Sequence, residues 1–255
     1  MLNSNCRHHS FLIQLFDLWL IQLSNWRWSW RGTIVVDTIT PLVGIVAMGV
    51  FARDSGREAL AYVLTGNMVL GLMFGNLDKV ANNFAFMRAT GSLGYFATLP
   101  VHRTVFVLAT LLAFMVLSVP ALSVTTIAGS VLLNIPLAPS PLLLIVVPLC
   151  AIPLAGLGAL IGSSVRTPQE SGSWSLLATL ILAGMGPVIV PPNRLPGFML
   201  MLGRLSPATY AASALRQTLL GPITSRLWLD LAVLAGLAMV VFALVRITMT
   251  WRQSE

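Results

Sequence analysis

The chain has 255 residues, 56% of them hydrophobic and 9% charged, with a formal net charge of +7 and a mean hydropathy of +0.86. A soluble domain carries about 25% charged residues, so the surface of such a domain could not be covered here, and the same numbers exclude a disordered chain. A polytopic membrane protein remains; at about 20 residues per span, six spans take about 120 residues and leave the rest for loops and ends.

Residues 1–10 read as a short tail ahead of a single membrane domain over 11–255. From Phe11 to Trp30 the chain is apolar but interrupted by Gln14, Asp17, Gln22, Ser24 and Asn25. Arg27 and Arg31 follow among Trp26, Trp28 and Trp30. Indoles and arginines together favour the headgroup layer, so this stretch predicts a helix lying in the interface. A signal peptide with Arg7 as its basic region is the competing reading. The embedded Asp17 and the lack of a small-x-small cleavage site argue against it.

The first span is Thr33 to Ala52, about 30 Å of helix, and contains Asp37 and Pro41. An acid inside a span is a functional candidate by default. Asp37 lies only about 7 Å of rise from the start of its span, within reach of the headgroups. A polar turn from Arg53 to Glu58 leads to the second span, Ala59 to Leu77, whose Gly66, Gly71 and Gly75 predict close helix packing. Asp78 to Arg103 is mixed. Its centre, Ala81 to Phe96, is too polar to span and too apolar for a free loop. It predicts a short helix at the cytoplasmic face, which either docks on a partner through Phe84, Met87 and Tyr95 or rests on lipid.

Thr104 to Val165 is a run of 62 residues without a charge. It predicts spans three (Thr104 to Ile127) and four (Leu142 to Gly162), joined by the turn Asn134 to Pro141. Pro120, Pro148 and Pro153 imply kinks whose freed carbonyls must be satisfied by neighbours. Span five, Ser173 to about Val190, is short and broken by Gly184 to Pro187. The segment from Pro191 to Ser225 carries Arg194, Arg204 and Arg216 and cannot cross the bilayer. Ser206-Pro207 reads as a helix start and Gly221-Pro222 as a stop. They enclose an amphipathic helix too short to span, which is expected in the outer leaflet with Tyr210 and Arg216 near the headgroups. Span six is Leu227 to about Ile247.

The termini and the second and fourth loops carry nine basic residues and the other side six. That bias places both termini in the cytoplasm and accounts for the net charge without nucleic acid. The one lysine, Lys79, is in no Gly-Lys-Ser/Thr setting, so no P-loop for ATP exists in the chain. Cys6, Cys150, His8, His9 and His102 have no disulfide or metal spacing. A membrane-embedded enzyme would want Gly-x-Ser-x-Gly with a buried histidine, or clustered aspartates for a metal; neither is present. An ion-coupled carrier using Asp37 and Asp230 is the other alternative, and neither acid lies at mid-span.

Two segments carry a resemblance. Leu-Ser-Pro-x-Thr-Tyr-Ala at Leu205 to Ala211 leads to Leu215-Arg216 and Leu220-Gly221, preceded by Gly186, Pro192 and Leu195-Pro196. On the cytoplasmic side stand Arg88-x-x-Gly91-Ser92-Leu93 and Thr98-Leu99-Pro100-Val101-x-Arg103. The chain resembles a type-2 ABC transporter permease of the drug and lipo-oligosaccharide exporter kind. The resemblance implies an all-α polytopic membrane protein with six transmembrane helices. It adds an N-terminal interfacial elbow helix, a cytoplasmic coupling helix between spans two and three, and short outer-leaflet helices between spans five and six. It implies Asn83, Met87, Arg88, Gly91, Ser92, Leu93, Tyr95, Pro100 and Arg103 as ATPase-coupling positions. Gly186, Pro187, Pro192, Pro196, Ser206, Pro207, Tyr210 and Arg216 would form an outer gate. Acids usually precede the coupling glycine in this family, and positions 82–90 here have none. The implied partners are a cytosolic ABC ATPase, which binds the ATP, a second permease subunit (a copy or a relative) and membrane lipids. The chain would hold no cofactor or metal and would sit in the inner cell membrane.

Overall fold

A computed structural model describes residues 11–25, 30–98 and 101–248, and all the regular elements among them are helical. The expected tail 1–10, Trp26, Arg27, Trp28, Pro100 and Arg252 lie outside the described residues. In chain order the helices are α1 (Phe11–Asn25), α2 (Trp30–Ala52), α3 (Gly56–Leu72), α4 (Lys79–Ala89) and α5 (Ser92–Thr98). They continue with α6 (Arg103–Leu133), α7 (Leu143–Ser164), α8 (Pro168–Gly184), α9 (Gly197–Gly203), α10 (Pro207–Leu220) and α11 (Arg226–Thr248).

Four helical stretches among the described residues are long and apolar enough to cross a membrane: Trp30–Ala89, Arg103–Leu133, Leu143–Ser164 and Arg226–Thr248. The first is a hairpin, reversed at Arg53–Ser55, with α2 antiparallel to α3. Gly44 lies against the Asn67 side chain and Gly71 against Pro41. α8 has 17 residues, about 25 Å of helix, and falls short of the hydrocarbon thickness of about 30 Å by itself.

The end of span two differs from the sequence reading. The helix of span two does not stop at Leu77. α3 passes through a π-helical turn, Met73–Asp78, directly into α4. The resulting rod, Gly56 to Ala89, is about 51 Å long. Asp78, Lys79, Asn82 and Asn83 read as an exit from the membrane. Three of these polar groups are satisfied sideways by neighbouring helices or the preceding turn, so the helix has no reason to break. The separate surface helix is only α5, seven residues long.

α7 sits at the centre of the bundle. Its buried small face, Ala151, Ala155, Gly158, Ala159 and Gly162, meets the rod. A β-carbon at Gly158 or Gly162 would collide with the backbone carbonyl of Leu77 or Ala81. Lipid tails are as apolar as leucine, so packing of this kind rests on close backbone approach rather than on escape from water. α11 packs on the other side of α7, with Val241 against Gly156. α1 lies on α6 through buried Leu18 and Gln22, and Gln22 Nε2 donates to Thr110 Oγ1 at 3.0 Å. The opposite face of α1, with Phe11, Leu12 and Phe16, is exposed.

Candidate functional site

At the end of the bundle where the rod terminates, α1, α4 and α5 enclose an open cleft of about 750 Å³. Ile21 and Asn25 of α1 form one wall; Asn83, Phe86 and Met87 of α4 and Tyr95 of α5 form the other. Phe86 and Tyr95 are 59% and 67% exposed, and the buried Asn83 Nδ2 has no hydrogen-bond partner among the described residues. Of the nine expected coupling residues, Asn83, Met87, Ser92 and Tyr95 line this cleft. Leu93 packs inward with the cluster around Phe84 and Phe106. Gly91 forms the turn between α4 and α5 with φ +73°, and nothing presses on its α-carbon. It serves the turn, since a left-handed φ favours glycine. Arg103 is the exposed first residue of α6, outside the cleft.

Arg88 is bonded within the chain. Its Nη1 donates to the carbonyls of Ser163 (2.5 Å) and Val165 (3.3 Å), in the last turn of α7 and at its C-cap. A cation there satisfies carbonyls that a helix C-terminus leaves without acceptable donors. Both charges of α4, Lys79 and Arg88, thus have partners inside the chain. Phe86 was missed in the sequence reading, although a phenylalanine flanked by buried Phe84 and Met87 must point away from both on a helix.

A second cluster sits where the rod changes pitch. Lys79 forms an ion pair with Asp37 of α2, whose carboxylate is buried. Asn76 Nδ2 donates to Ser118 Oγ of α6 at 3.2 Å. Ser175 of α8 donates to Asp78 Oδ1, which also accepts from Asn82 Nδ2 at 3.1 Å. Within four residues the rod is thus tied by side chains to α2, α6 and α8. π turns are frequent at functional sites because the extra residue re-aims neighbouring side chains. Asp37 was visible in the sequence as an acid in a span. Its partner was not: Lys79 read as lying past the end of span two, and only the packing of α2 against the rod brings the two together.

The expected gate residues lie at the other end. α8 stops at Gly184, and residues 185–190 run without helix against α3, where Gly66 touches the backbone of Val188 and Ile189. Gly186 fits against Thr209 and Gly203 with no room for a side chain. Ser206 stands at the N-cap position of α10 and Pro207 at its first turn, as expected. Its hydroxyl, however, does not cap: Oγ donates to the Leu182 carbonyl at 3.0 Å. That carbonyl belongs to the last turn of α8, where orphan acceptors are expensive in an apolar setting. Tyr210 Oη donates to the Arg204 carbonyl at 2.7 Å. Pro192 opens a short turn and Pro196 precedes α9.

α10 differs from the outer-leaflet amphipathic helix read from the sequence. Leu215 and Leu219 do face the spans, but so does most of the helix. It is packed among α3, α7, α8 and α11, with Ala208, Ala211, Ala212 and Ala214 fully buried. Arg216 does not reach for headgroups. Its guanidinium stacks on the Tyr62 ring, 3.4 Å from the centroid, and Nη2 donates to Thr65 Oγ1 at 3.1 Å. Small residues let this helix enter the bundle, and its polar groups find partners there. Ser213 and Gln217 donate to Asp230 Oδ2 at 2.6 and 3.1 Å. The loop 134–141 donates to the α10 C-terminus: Ala138 N to Leu219 O at 2.8 Å and Ser140 N to Thr218 O at 2.9 Å. The joint of α8, α10 and α3 therefore gathers Gly186, Pro187, Ser206, Pro207 and Tyr210, with Arg216 farther along α10.

The profile of the ABC-2 type transporter family matches residues 14–220, from α1 to the end of α10. No curated protein matches the chain. Proteins of this family are membrane transport components, not enzymes themselves, and normally work with a cytosolic ATPase partner. The chain belongs to the ABC-2 type transporter family and is a multi-pass membrane permease subunit of an ABC transporter.

Proposed function

We propose that this permease is a half-transporter of an ATP-driven exporter that moves an amphipathic or lipid-linked substrate out of the cytoplasm. The observation that carries the reading is the cleft between α1, α4 and α5, with Phe86 and Tyr95 exposed on its rim. It lies at the end of a rigid rod that runs through the membrane and is tied to α2, α6 and α8. A cytosolic ATPase seated there, with an apolar ridge in the cleft, would push on all three spans at once. In this reading the cleft faces the cytoplasm together with both termini, and the arginine bias of the sequence supports it. Six crossings then follow, by α2, α3, α6, α7, α8 with its extension, and α11. The joint of α8 and α10 becomes the outer gate, and a second permease, identical or related, completes the pathway in the inner membrane. ATP is bound by the partner. An ion-coupled carrier has less support: Asp37 is paired with Lys79, and Asp230 is held by Ser213 and Gln217.

The test is copurification and vesicle transport. The tagged chain retains an ABC ATPase and moves amphiphiles only with ATP. Phe86→Glu and Tyr95→Glu each lose the ATPase while membrane insertion persists. Full retention of both ATPase and transport in both variants would remove the cleft from the mechanism.

A further inference from the structure

The buried side chains of α8 are three hydroxyls spaced one turn apart: Ser171, Ser175 and Thr179. Residues four apart on a helix share a face, so the three form one seam. The middle hydroxyl is spent on the rod, where Ser175 donates to Asp78 Oδ1. Ser171 Oγ and Thr179 Oγ1, equally buried, have no partner among the described residues. The rod offers a second acceptor one turn beyond Asp78, on the side of the cleft: Asn82 Oδ1 lies 3.6 Å from where a β-carbon on Gly172 of α8 would stand. On its other flank α8 is loosely held. An open groove of about 470 Å³ separates it from α7, lined by Trp174, Leu177 and Ile181 among others, and the residues that follow it, 185–190, form no helix.

We infer that α8 has two registers on the rod, related by a slide of one turn, about 6 Å, toward the cleft end. In the second register Thr179 takes the place of Ser175 on Asp78, and Ser175 comes level with Asn82 Oδ1. Ser171 moves past Asn82 toward the open cleft, where water satisfies it. The bond at Asp78 is kept, and both orphan hydroxyls gain a partner; a buried polar group without one is expensive. The opposite slide is opposed by the same chemistry. It draws Glu170, in the first turn of α8, toward the hydrocarbon, where a charge is costly, and brings Ser175 level with Phe74. Packed helices change between discrete arrangements, and one-turn steps of one element past another are among them. The slide also pulls on the far joint, because Ser206 of α10 holds the Leu182 carbonyl in the last turn of α8 and residues 188 and 189 lie against Gly66. Its use as the step that opens the outer gate rests on the half-transporter reading; the two registers do not.

Spin labels at Phe51→Cys and Gln169→Cys, exposed positions near opposite ends of the bundle, read the slide as a distance in the full chain in nanodiscs, with Cys6 and Cys150 replaced by alanine. The parent should show one main distance. Ser175→Ala removes the bond of the first register and leaves that of Thr179 in the second. The ratio of the two should therefore move by about tenfold or more, the worth of a hydrogen bond to a charged group, toward a distance longer by about 6 Å. Adding Thr179→Val should restore the short distance, and Thr179→Ser in its place should keep the long one. The parent distance in Ser175→Ala, or a long distance that persists without the Thr179 hydroxyl, overturns the two registers. Thr179→Val alone breaks no bond of the first register and keeps the test decisive where Ser175→Ala does not fold. It should leave the melting temperature unchanged and lower ATP-driven vesicle transport by about fivefold or more, with Thr179→Ser at the parent's rate. Transport at the parent's rate in Thr179→Val overturns the slide as a step of transport. A parent chain that moves nothing with ATP overturns the half-transporter reading instead, and the distances still decide the registers.

Discussion

The pair Asp37–Lys79 makes a quantitative demand. Asp37 is 6% exposed and the Lys79 side chain 19%, so neither charge is well hydrated. Asp37→Asn leaves an ammonium facing a neutral amide inside the bundle. Breaking a buried pair by removing one partner costs about 3–5 kcal/mol, whereas replacing both by apolar residues of similar volume is often neutral. For a chain of this size each kcal/mol moves the melting temperature by about 2–4 °C. Asp37→Asn and Lys79→Gln should therefore each lower it by roughly 6–20 °C. The double variant Asp37→Leu with Lys79→Met should recover most of the loss. The assay is thermal melting of the fluorescently tagged chain in detergent, read by size-exclusion chromatography, with Asp37→Leu and Lys79→Met also measured singly so that they close a double-mutant cycle with the double variant. Single variants within about 2 °C of the parent, or single losses that add in the double variant, would refute the idea that this pair clamps α2 to the rod.

Three further outcomes follow from the geometry. Arg88→Ala frees the Ser163 and Val165 carbonyls. It should cost about 1.5–3 kcal/mol, the value of hydrogen bonds from a charged group, and raise hydrogen exchange at the end of α7; unchanged exchange there would contradict the internal role. Gly91→Leu forces a side chain into φ +73°, at about 1–2 kcal/mol. It should reduce ATP-driven transport with insertion intact, while Gly91→Asn, which tolerates this region better, should lie between leucine and glycine. Single cysteines from Ser206 to Gly221 should react with a water-soluble reagent only at positions such as 210, 213, 216, 217, 220 and 221. Protection is expected at 207–209, 211, 212, 214, 215, 218 and 219. Uniform labelling would mean that α10 is not packed in the bundle.

Composition and run length determined a great deal without any structure. A chain this apolar has to bury its backbone polar groups in helices, and the long uncharged run from Thr104 to Val165 had to be two helices with a proline-marked turn. The break at Gly184 to Pro187 and the start of α10 at Pro207 were legible because proline and glycine act on the local backbone alone, although span five was read on to about Val190 and α8 ends at Gly184. What remained hidden was where polar side chains find their partners. Lys79 and Asp78 read as the end of a span because a charge in lipid is costly. That cost vanishes when Asp37 and Ser175 stand beside them. Ser206 reads as a cap and instead serves the end of α8, and Arg216 reads as a headgroup anchor and instead lies on Tyr62. Helices are local and follow from the residues within them; the partner of a buried polar group comes from another helix, and only the packed bundle decides which one it is.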